Sequence, residues 1–521
     1  MQTASDAAYR SWYRASVADA LFVGCTLLAL CHARSGAMDD PGLGWHLRIA
    51  DQIWESGGFL HREVFCAASE GRPWVTYSWL GDVLLRLAWG WAGLNGVAIL
   101  FALCVGLFLR VMYTHMVADG VPWAAACGWV LLAALASRVG WTARPNMYTF
   151  VGLAVTVSVV ERFHRGGITR RQTLWLVPLF FLWANMHSGF LAGALVCGVA
   201  YGVELSLSLW GADPVARSAA RGRLQWWTWL GAALFLVTLA NPYGLGLYTW
   251  TISVMGNPFI KQSVSEWRPP DFSAPGWPYV ELLVLAFPLL AAVSRRRLPL
   301  VPLILSLVWL HFGLTGIRYA ALWVIVVVPT LAWYSCDVPW FQRIGRWLAA
   351  RTSGTFRQRF GNRPHPLPLA ASLLFAAVLM VGGRWLPPLA RHQNLPAAEL
   401  DQLLGIWEGE RVFHSANWGG YLLWHGWDRQ PRFRPWIDDR NDVHAREHFQ
   451  EYFELLGAAE GWSETLDQRQ IELLALPVTA ALTRAVADSP RWRQVARGEQ
   501  VAIFRRAAEP SGLPGAGRGR S

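Results

Sequence analysis

Apolar stretches separated by short polar connections dominate the chain up to about residue 384. They lie at about 17–33, 76–92, 95–116, 122–138, 146–161, 173–186, 189–210, 226–240, 279–293, 298–313, 316–334 and 366–384. Their length and near-continuous hydrophobicity predict membrane-crossing helices rather than strands. Several fall short of the roughly 20 residues of an ideal span, as in bundles with tilted or broken helices. The pattern predicts a polytopic α-helical membrane protein with about 11–13 transmembrane helices, its membrane domain covering residues 1–384.

From residue 385 to 508 the pattern changes. A short helix is expected at about 397–406, then a strand at Arg411–His414 and a second at Pro435–Ile437. Helices are expected at Phe449–Leu456, Leu466–Leu474 and Thr479–Ala487, with a final strand at Gln500–Phe504. This alternation predicts a small C-terminal α/β domain. The tail 509–521, rich in Gly, Pro and Arg, is expected to be disordered.

Composition supports the membrane reading. The chain is 54% apolar and only 16% charged, where a soluble domain carries about a quarter charged residues. The net charge of +11 is almost all arginine, Lys261 being the sole lysine. Because the arginines cluster between apolar runs, charge sidedness explains them better than nucleic-acid binding, which is not expected. The seven cysteines include no CxxC pair and none lies in the C-terminal region, so no disulfide framework or zinc site is expected there. The run at 17–33 lacks a small-x-small cleavage site and reads as a retained first span.

Sidedness follows from the basic connections. Arg10 and Arg14 place the N-terminus inside, and the stretches Arg162–Arg171, Arg217–Arg223, Arg295–Arg297 and Arg343–Arg363 read as cytoplasmic. An even number of segments would then put the C-terminal domain on the wrong side. One segment should therefore not cross. The 76–92 and 95–116 pair is the candidate, because Gly90–Gly96 barely allows a turn and the first member carries Asp82 and Arg86. On this topology the outer face, periplasmic in a bacterial inner membrane, receives the C-terminal domain and most polar motifs.

The first outer loop, 35–73, opens with Asp39-Asp40-Pro41-Gly42-Leu43-Gly44-Trp45-His46. Adjacent carboxylates beside a bilayer are costly unless they meet water, metal or substrate, and the Pro and Gly residues hold the backbone on a turn. The same face should gather Arg144-Pro145-Asn146-Met147, the run Trp183-Ala184-Asn185-Met186-His187-Ser188-Gly189, Glu266-Trp267, and Arg318-Tyr319.

With Trp45-His46-Leu47, Trp74, Trp79-Leu80, Asn417-Trp418-Gly419-Gly420-Tyr421-Leu422 and Ile437-Asp438-Asp439-Arg440, these motifs resemble a bacterial branch of the type C fold of membrane glycosyltransferases. That group includes protein O-mannosyltransferases, aminoarabinose transferases and oligosaccharyltransferases. The resemblance implies transfer of a sugar from a polyprenyl-phosphate donor to an extracytoplasmic lipid, glycan or protein. It also implies a first-loop aspartate acting as general base or helping to hold a divalent metal, Mg or Mn. Two departures stand out. Gly42 replaces an expected second acidic residue, and the Trp-Trp-Asp-Tyr-Gly signature of oligosaccharyltransferases is missing.

Sugar transfer needs a carboxylate to take the acceptor proton and cations to stabilise a leaving phosphate. Asp40 is the first candidate base and Asp39 the second, against the plainer reading that both cap the helix beginning near Trp45. Asp39, Asp40 and Glu266 are the candidate metal ligands. His46, Arg144, Asn185, His187, Glu266, Arg318 and Tyr319 are the candidate substrate contacts. Their plainer readings are packing beside Trp45 for His46, snorkelling for the arginines, helix-to-helix hydrogen bonding for Asn185 and His187, and a solvated loop acid for Glu266. Asp438, Asp439 and Arg440 read as a structural turn with an internal ion pair. Two competing classes are a transporter or scaffold, for which no inverted repeat is visible, and an oligosaccharyltransferase- or ligase-like enzyme with a wide outer groove.

Overall fold

A computed structural model describes residues 17–33, 40–297, 299–343, 366–385 and 395–507. The chain separates into two compact units, Met1–Asp40 with Val75–Leu389 and Pro41–Trp74 with Ala390–Ser521. Most of the first outer loop therefore packs with the C-terminal region. Asp39 and the tail 509–521 lie outside the described residues.

The first unit is helical. Its main helices are Val17–His32, Trp79–Ala118, Trp123–Ser137, Asn146–His164, Leu176–Met186, Phe190–Trp210, Pro214–Thr238, Gly246–Gly256, Pro278–Val293, Leu300–Thr315, Ile317–Ser335 and Pro366–Gly382. Four stretches, Trp79–Ala118, Trp123–Gly140, Phe190–Trp210 and Ile317–Ser335, are long and apolar enough to cross a membrane. Val17–His32, Pro278–Val293, Leu300–Thr315 and Ala370–Trp385 are shorter apolar helices. Leu131, Leu236, Leu285 and Leu289 are more than half exposed, a placement that suits lipid and not water.

Local chemistry sets several boundaries. Asp213 accepts hydrogen bonds from the backbone N–H groups of Val215 and Ala216, and Pro214 fills the first helical position, where a missing N–H costs nothing. The 40-residue element Trp79–Ala118 is broken at Ala92 and Gly93, where Gly93 takes φ 57° and ψ −141°. A Cβ on Gly96 would overlap the carbonyl of Ala88, although residues eight apart in a straight helix stand about 12 Å apart. The chain therefore turns back on itself here, and the expected pair 76–92 and 95–116 is joined by this glycine turn. Gly246–Gly256 was not anticipated. Its mixed Thr, Tyr and Trp content hides the helical period.

The second unit carries a four-stranded sheet in the order β1-β2-β4-β3, with β1 Val412–His414, β2 Leu473–Pro477, β3 Trp492–Arg497 and β4 Val501–Arg506. β1 and β2 are parallel, while β4 pairs antiparallel with β2 and β3. The helix Ala397–Ile406 matches its expected bounds and lays Leu400, Leu403 and Leu404 on Leu422, Phe433 and Ile503. Two expectations fail. Leu473–Pro477 is a strand and not the end of a helix, because a strand buried on both faces shows no alternation. Pro435–Ile437 is not a strand. Its backbone is used by the first-loop segment instead: Ala67 and Ala68 donate to the carbonyls of Pro435 and Trp436.

That segment is an integral part of the second unit. Its helix Leu43–Ser56 packs on the helix Gly419–Gly426, and at Gly44 and Gly420 added Cβ atoms would overlap the carbonyls of Gly420 and Pro41. Arg440, fully buried, donates to Glu63 at 2.7 and 3.1 Å and to Asp438 at 2.7 Å, with its guanidinium 4.6 Å from the Trp74 ring. Asp439 accepts from Trp45 Nε1 at 2.9 Å. The plain reading of Asp438-Asp439-Arg440 as a turn with an ion pair describes this network.

Candidate active site

The candidate site lies in the first unit, where the connections at helix ends bring polar side chains together. Asp40 follows the first helix. Arg144 sits just ahead of the helix Asn146–His164, and its Nε donates to Asp40 Oδ2. Arg144 Nη1 lies 3.6 Å from Glu266 Oε1, so one guanidinium stands between two carboxylates. The Asp40 side chain is 2% exposed and that of Glu266 46%.

Glu266 belongs to a loop pinned on both sides. Arg268 donates from Nε and Nη2 to the carbonyl of Gln262, and the Arg268 carbonyl accepts from Ile317 N at 3.0 Å. This second bond ties the loop to the start of the helix Ile317–Ser335. The Arg318 guanidinium consequently lies 4.4 Å from the Trp267 ring and 6.0 Å from that of Tyr319. Such stacking holds the cation's plane while leaving its edge to bind anions. Tyr319 meets Trp267 edge-on at 6.1 Å.

His187 occupies the connection between Leu176–Met186 and Phe190–Trp210. Its Nδ1 receives the Gly189 N–H at 3.0 Å and lies 2.8 Å from Thr149 Oγ1, which itself accepts from Trp183 Nε1. With Nδ1 accepting, the neutral ring carries its proton on Nε2. Burial, reinforced by the charge of Arg318, pushes His187 down to about 3, so it stays a neutral donor. Gly189 is required because a Cβ there would overlap Thr149.

Asn185 is spent on the scaffold. It accepts from Trp79 Nε1 at 2.9 Å and donates to the carbonyls of Phe181 and Ala240. His46 belongs to the second unit, is 2% exposed, and stacks on Trp45 with ring centroids 3.6 Å apart. Several polar residues near the site are not among the candidate site residues of the sequence. Thr76 hydrogen-bonds Tyr243, the Tyr77 ring lies 6.0 Å from that of His187, and buried Asp82 accepts from Ser78 at 3.1 Å. Asp82 offered a signal, as a carboxylate inside an apolar run; Thr76 and Tyr77 offered none.

A hard divalent cation takes several oxygen ligands at about 2.0–2.6 Å. Asp40 and Glu266 instead converge on the Arg144 guanidinium, and among the described residues neither joins a cluster of three ligating side chains. Asp40 and Glu266 share the Arg144 guanidinium as their cation, and Asp39, the third expected ligand, lies outside the described residues. The clusters that do gather three such side chains are Cys66, Asp438 and His444, and His115, Asp119 and Glu161.

No family model matches the chain, and no curated protein matches it. Solved structures do. The oligosaccharyltransferase AglB from Archaeoglobus fulgidus, in complex with an inhibitory peptide and a dolichol-phosphate, aligns with a TM-score of 0.52 at 11% identity, over 88% of this chain and 69% of that one. The apo form of the Archaeoglobus fulgidus oligosaccharyltransferase gives 0.52 at 12% over the same shares. ArnT from Cupriavidus metallidurans bound to undecaprenyl phosphate aligns over 95% of this chain and 99% of that one, with a TM-score of 0.46 at 13%. At such identities the likeness to AglB is one of fold: the chain is mostly helical, with several apolar helices and a small C-terminal sheet, and shares the architecture of an oligosaccharyltransferase.

Proposed function

We propose that this protein is a membrane glycosyltransferase that moves a sugar from a polyprenyl-phosphate donor to an extracytoplasmic acceptor. The observation that carries the proposal is Arg144 held between Asp40 and Glu266, with Arg318 stacked on the neighbouring Trp267. The shared fold with an oligosaccharyltransferase recorded with a dolichol-phosphate is consistent with it. A transporter or scaffold has no comparable support.

In this reading the acceptor's hydroxyl or amine attacks the anomeric carbon as the bond to the phosphate oxygen breaks. The phosphate leaves with the electron pair, met by Arg144 and Arg318, whose guanidinium groups suit phosphate geometry. His187, a neutral donor, supplies a further hydrogen bond to oxygen. The acceptor's proton passes to Asp40, the base whose position Arg144 fixes. Glu266 is the second arrangement, favoured by its greater exposure, with Asp40 then serving to orient Arg144.

The topology belongs to the same proposal. The helical stretch before the turn at Ala92–Gly93 spans only about 20 Å at 1.5 Å per residue and holds the buried carboxylate of Asp82 within it, the combination that marks it as the segment that does not cross. A non-crossing segment there leaves about eleven crossings and puts the C-terminal unit outside the bacterial inner membrane. The test is transfer from radiolabelled polyprenyl-phosphate sugars by the full chain in vesicles. We expect Asp40→Asn or Glu266→Gln to lower the rate by about 10²–10⁴-fold, the size of a lost general base. Undiminished transfer by both variants would remove the proposed base.

A further inference from the structure

We propose that His115, Asp119 and Glu161 form a binding site for a transition-metal ion of the zinc type, far along the helices from the candidate active site. His115 and Asp119 stand one turn apart at the C-terminal end of Trp79–Ala118, and Glu161 lies in the last turn of Asn146–His164. His115 Nε2 is 3.2 Å from Asp119 Oδ2 and 3.5 Å from Glu161 Oε2. Ligands bonded at about 2.0–2.1 Å around a tetrahedral ion sit about 3.3–3.4 Å apart; the two separations from His115 match such edges, and all three ligand atoms lie within 4.8 Å of one another. One imidazole and two carboxylates make a donor set that zinc accepts.

The independent observation is an unmet demand. The His115 side chain is 1% exposed and that of Glu161 0%. Yet Glu161 Oε1 has no hydrogen-bond partner, and His115 Nε2, aimed between the two carboxylates, makes no well-aligned hydrogen bond to either. Buried polar atoms are rarely left so. The other three-residue cluster shows the contrast. There Cys66 Sγ donates to Asp438 at 3.2 Å, His444 Nε2 lies 3.0 Å from Asp438 Oδ1, and Arg440 fills the remaining valences. That cluster is complete without an ion.

Arg165 is the competing cation. It contacts Asp119, and its Nη2 reaches Glu161 Oε2 at 3.2 Å, while its Nε remains unpartnered. With a bound ion Arg165 acts from outside the shell, holding the outer carboxylate lone pairs, as metal-ligating carboxylates are commonly held. Without an ion, His115 would have to be protonated to balance the two carboxylates and Arg165. The two cases differ in metal content and not in fold.

The experiment uses the full chain, purified in detergent through a tag without histidine and without chelator, then loaded with zinc chloride and dialysed. Elemental analysis should find about one zinc per chain, falling at least tenfold in His115→Gln and in Glu161→Gln, while Cys66→Ser keeps it. Should the first two variants fail to fold, wild-type protein is stripped with EDTA and its melting temperature followed as zinc is returned. A rise that saturates at one equivalent supports the site. Less than a tenth of an equivalent bound by wild type, an unchanged content in both ligand variants, or a melting temperature indifferent to zinc would overturn it.

Discussion

Arg440→Met tests how firmly the first-loop segment belongs to the second unit. The Arg440 and Glu63 side chains are both 0% exposed, and the guanidinium bonds directly to Glu63, Asp438 and the Cys66 sulfur. Burial alone would raise the Asp438 carboxyl, but the Arg440 charge and the His444 hydrogen bond overcome it and hold it well below the usual range. Removing the cation leaves two buried carboxylates unpaired, which costs about 3–5 kcal/mol. Hydrogen exchange of the intact chain in detergent reads this locally, through the amides of β1 and β2. Their exchange should accelerate by about two to nearly four orders of magnitude, at 1.4 kcal/mol per tenfold. Adding Glu63→Gln and Asp438→Asn to Arg440→Met removes the stranded charges and should restore part of the protection. Exchange changed by less than about fivefold in Arg440→Met would show that the network does not hold the unit together.

Three further outcomes are expected. His414 Nε2 accepts from the Trp436 N–H at 3.0 Å, and burial pushes the ring down to about 4 against an unfolded value near 6.5; the neutral ring's contribution, about 3 kcal/mol, is complete above pH 6.5 and is lost as pH falls toward 4, so protection at Trp436, relative to the intrinsic exchange rate at each pH, should fall over that window in wild type and much less in His414→Gln. Gly420→Ala should cost about 1–3 kcal/mol, because its methyl would overlap the Pro41 carbonyl, whereas Gly405→Ala, with open space around it, should be neutral or stabilising by up to about 1 kcal/mol; the same exchange experiment checks both. Arg318→Lys should raise the KM for the lipid-linked donor about tenfold, with a smaller effect on kcat, since an ammonium neither stacks flat on Trp267 nor binds phosphate through two bonds; an unchanged KM removes Arg318 from the donor site.

Much of the fold was legible because lipid imposes a one-dimensional rule: an apolar run long enough to cross is a helix. Val17–His32, Trp123–Ser137, Phe190–Trp210 and Ile317–Ser335 follow it closely. The rule failed where burial came from protein. Leu473–Pro477 is apolar on both faces because β1 and β4 flank it and helices cover it, so its composition alone favoured neither state. Pro435–Ile437 looked like a strand, yet its carbonyls bond to Ala67 and Ala68, nearly four hundred residues earlier in the chain. No local pattern carries that information.

The motifs divide by what their residues touch. Trp183, Asn185 and Gly189 share a motif with His187, but these three serve the scaffold around it: Trp183 packs against Gly152 and Gly193, Asn185 links three segments, and Gly189 makes room for Thr149. Gly419 and Gly420 likewise fit the chain against Ile437, Asp438 and Pro41. A sequence cannot separate a glycine that admits a neighbour from one that admits a substrate, because both are defined by what approaches them. Charge is more telling. Asp40, Arg144, Glu266 and Arg318 stood out as ionised groups beside apolar runs, and the structure connects them through one guanidinium and one indole. Groups that are costly to hold near lipid persist where something offsets the cost. For Asp40 that partner is Arg144, which is why replacing Arg144 should disturb the aspartate's position as well as phosphate binding.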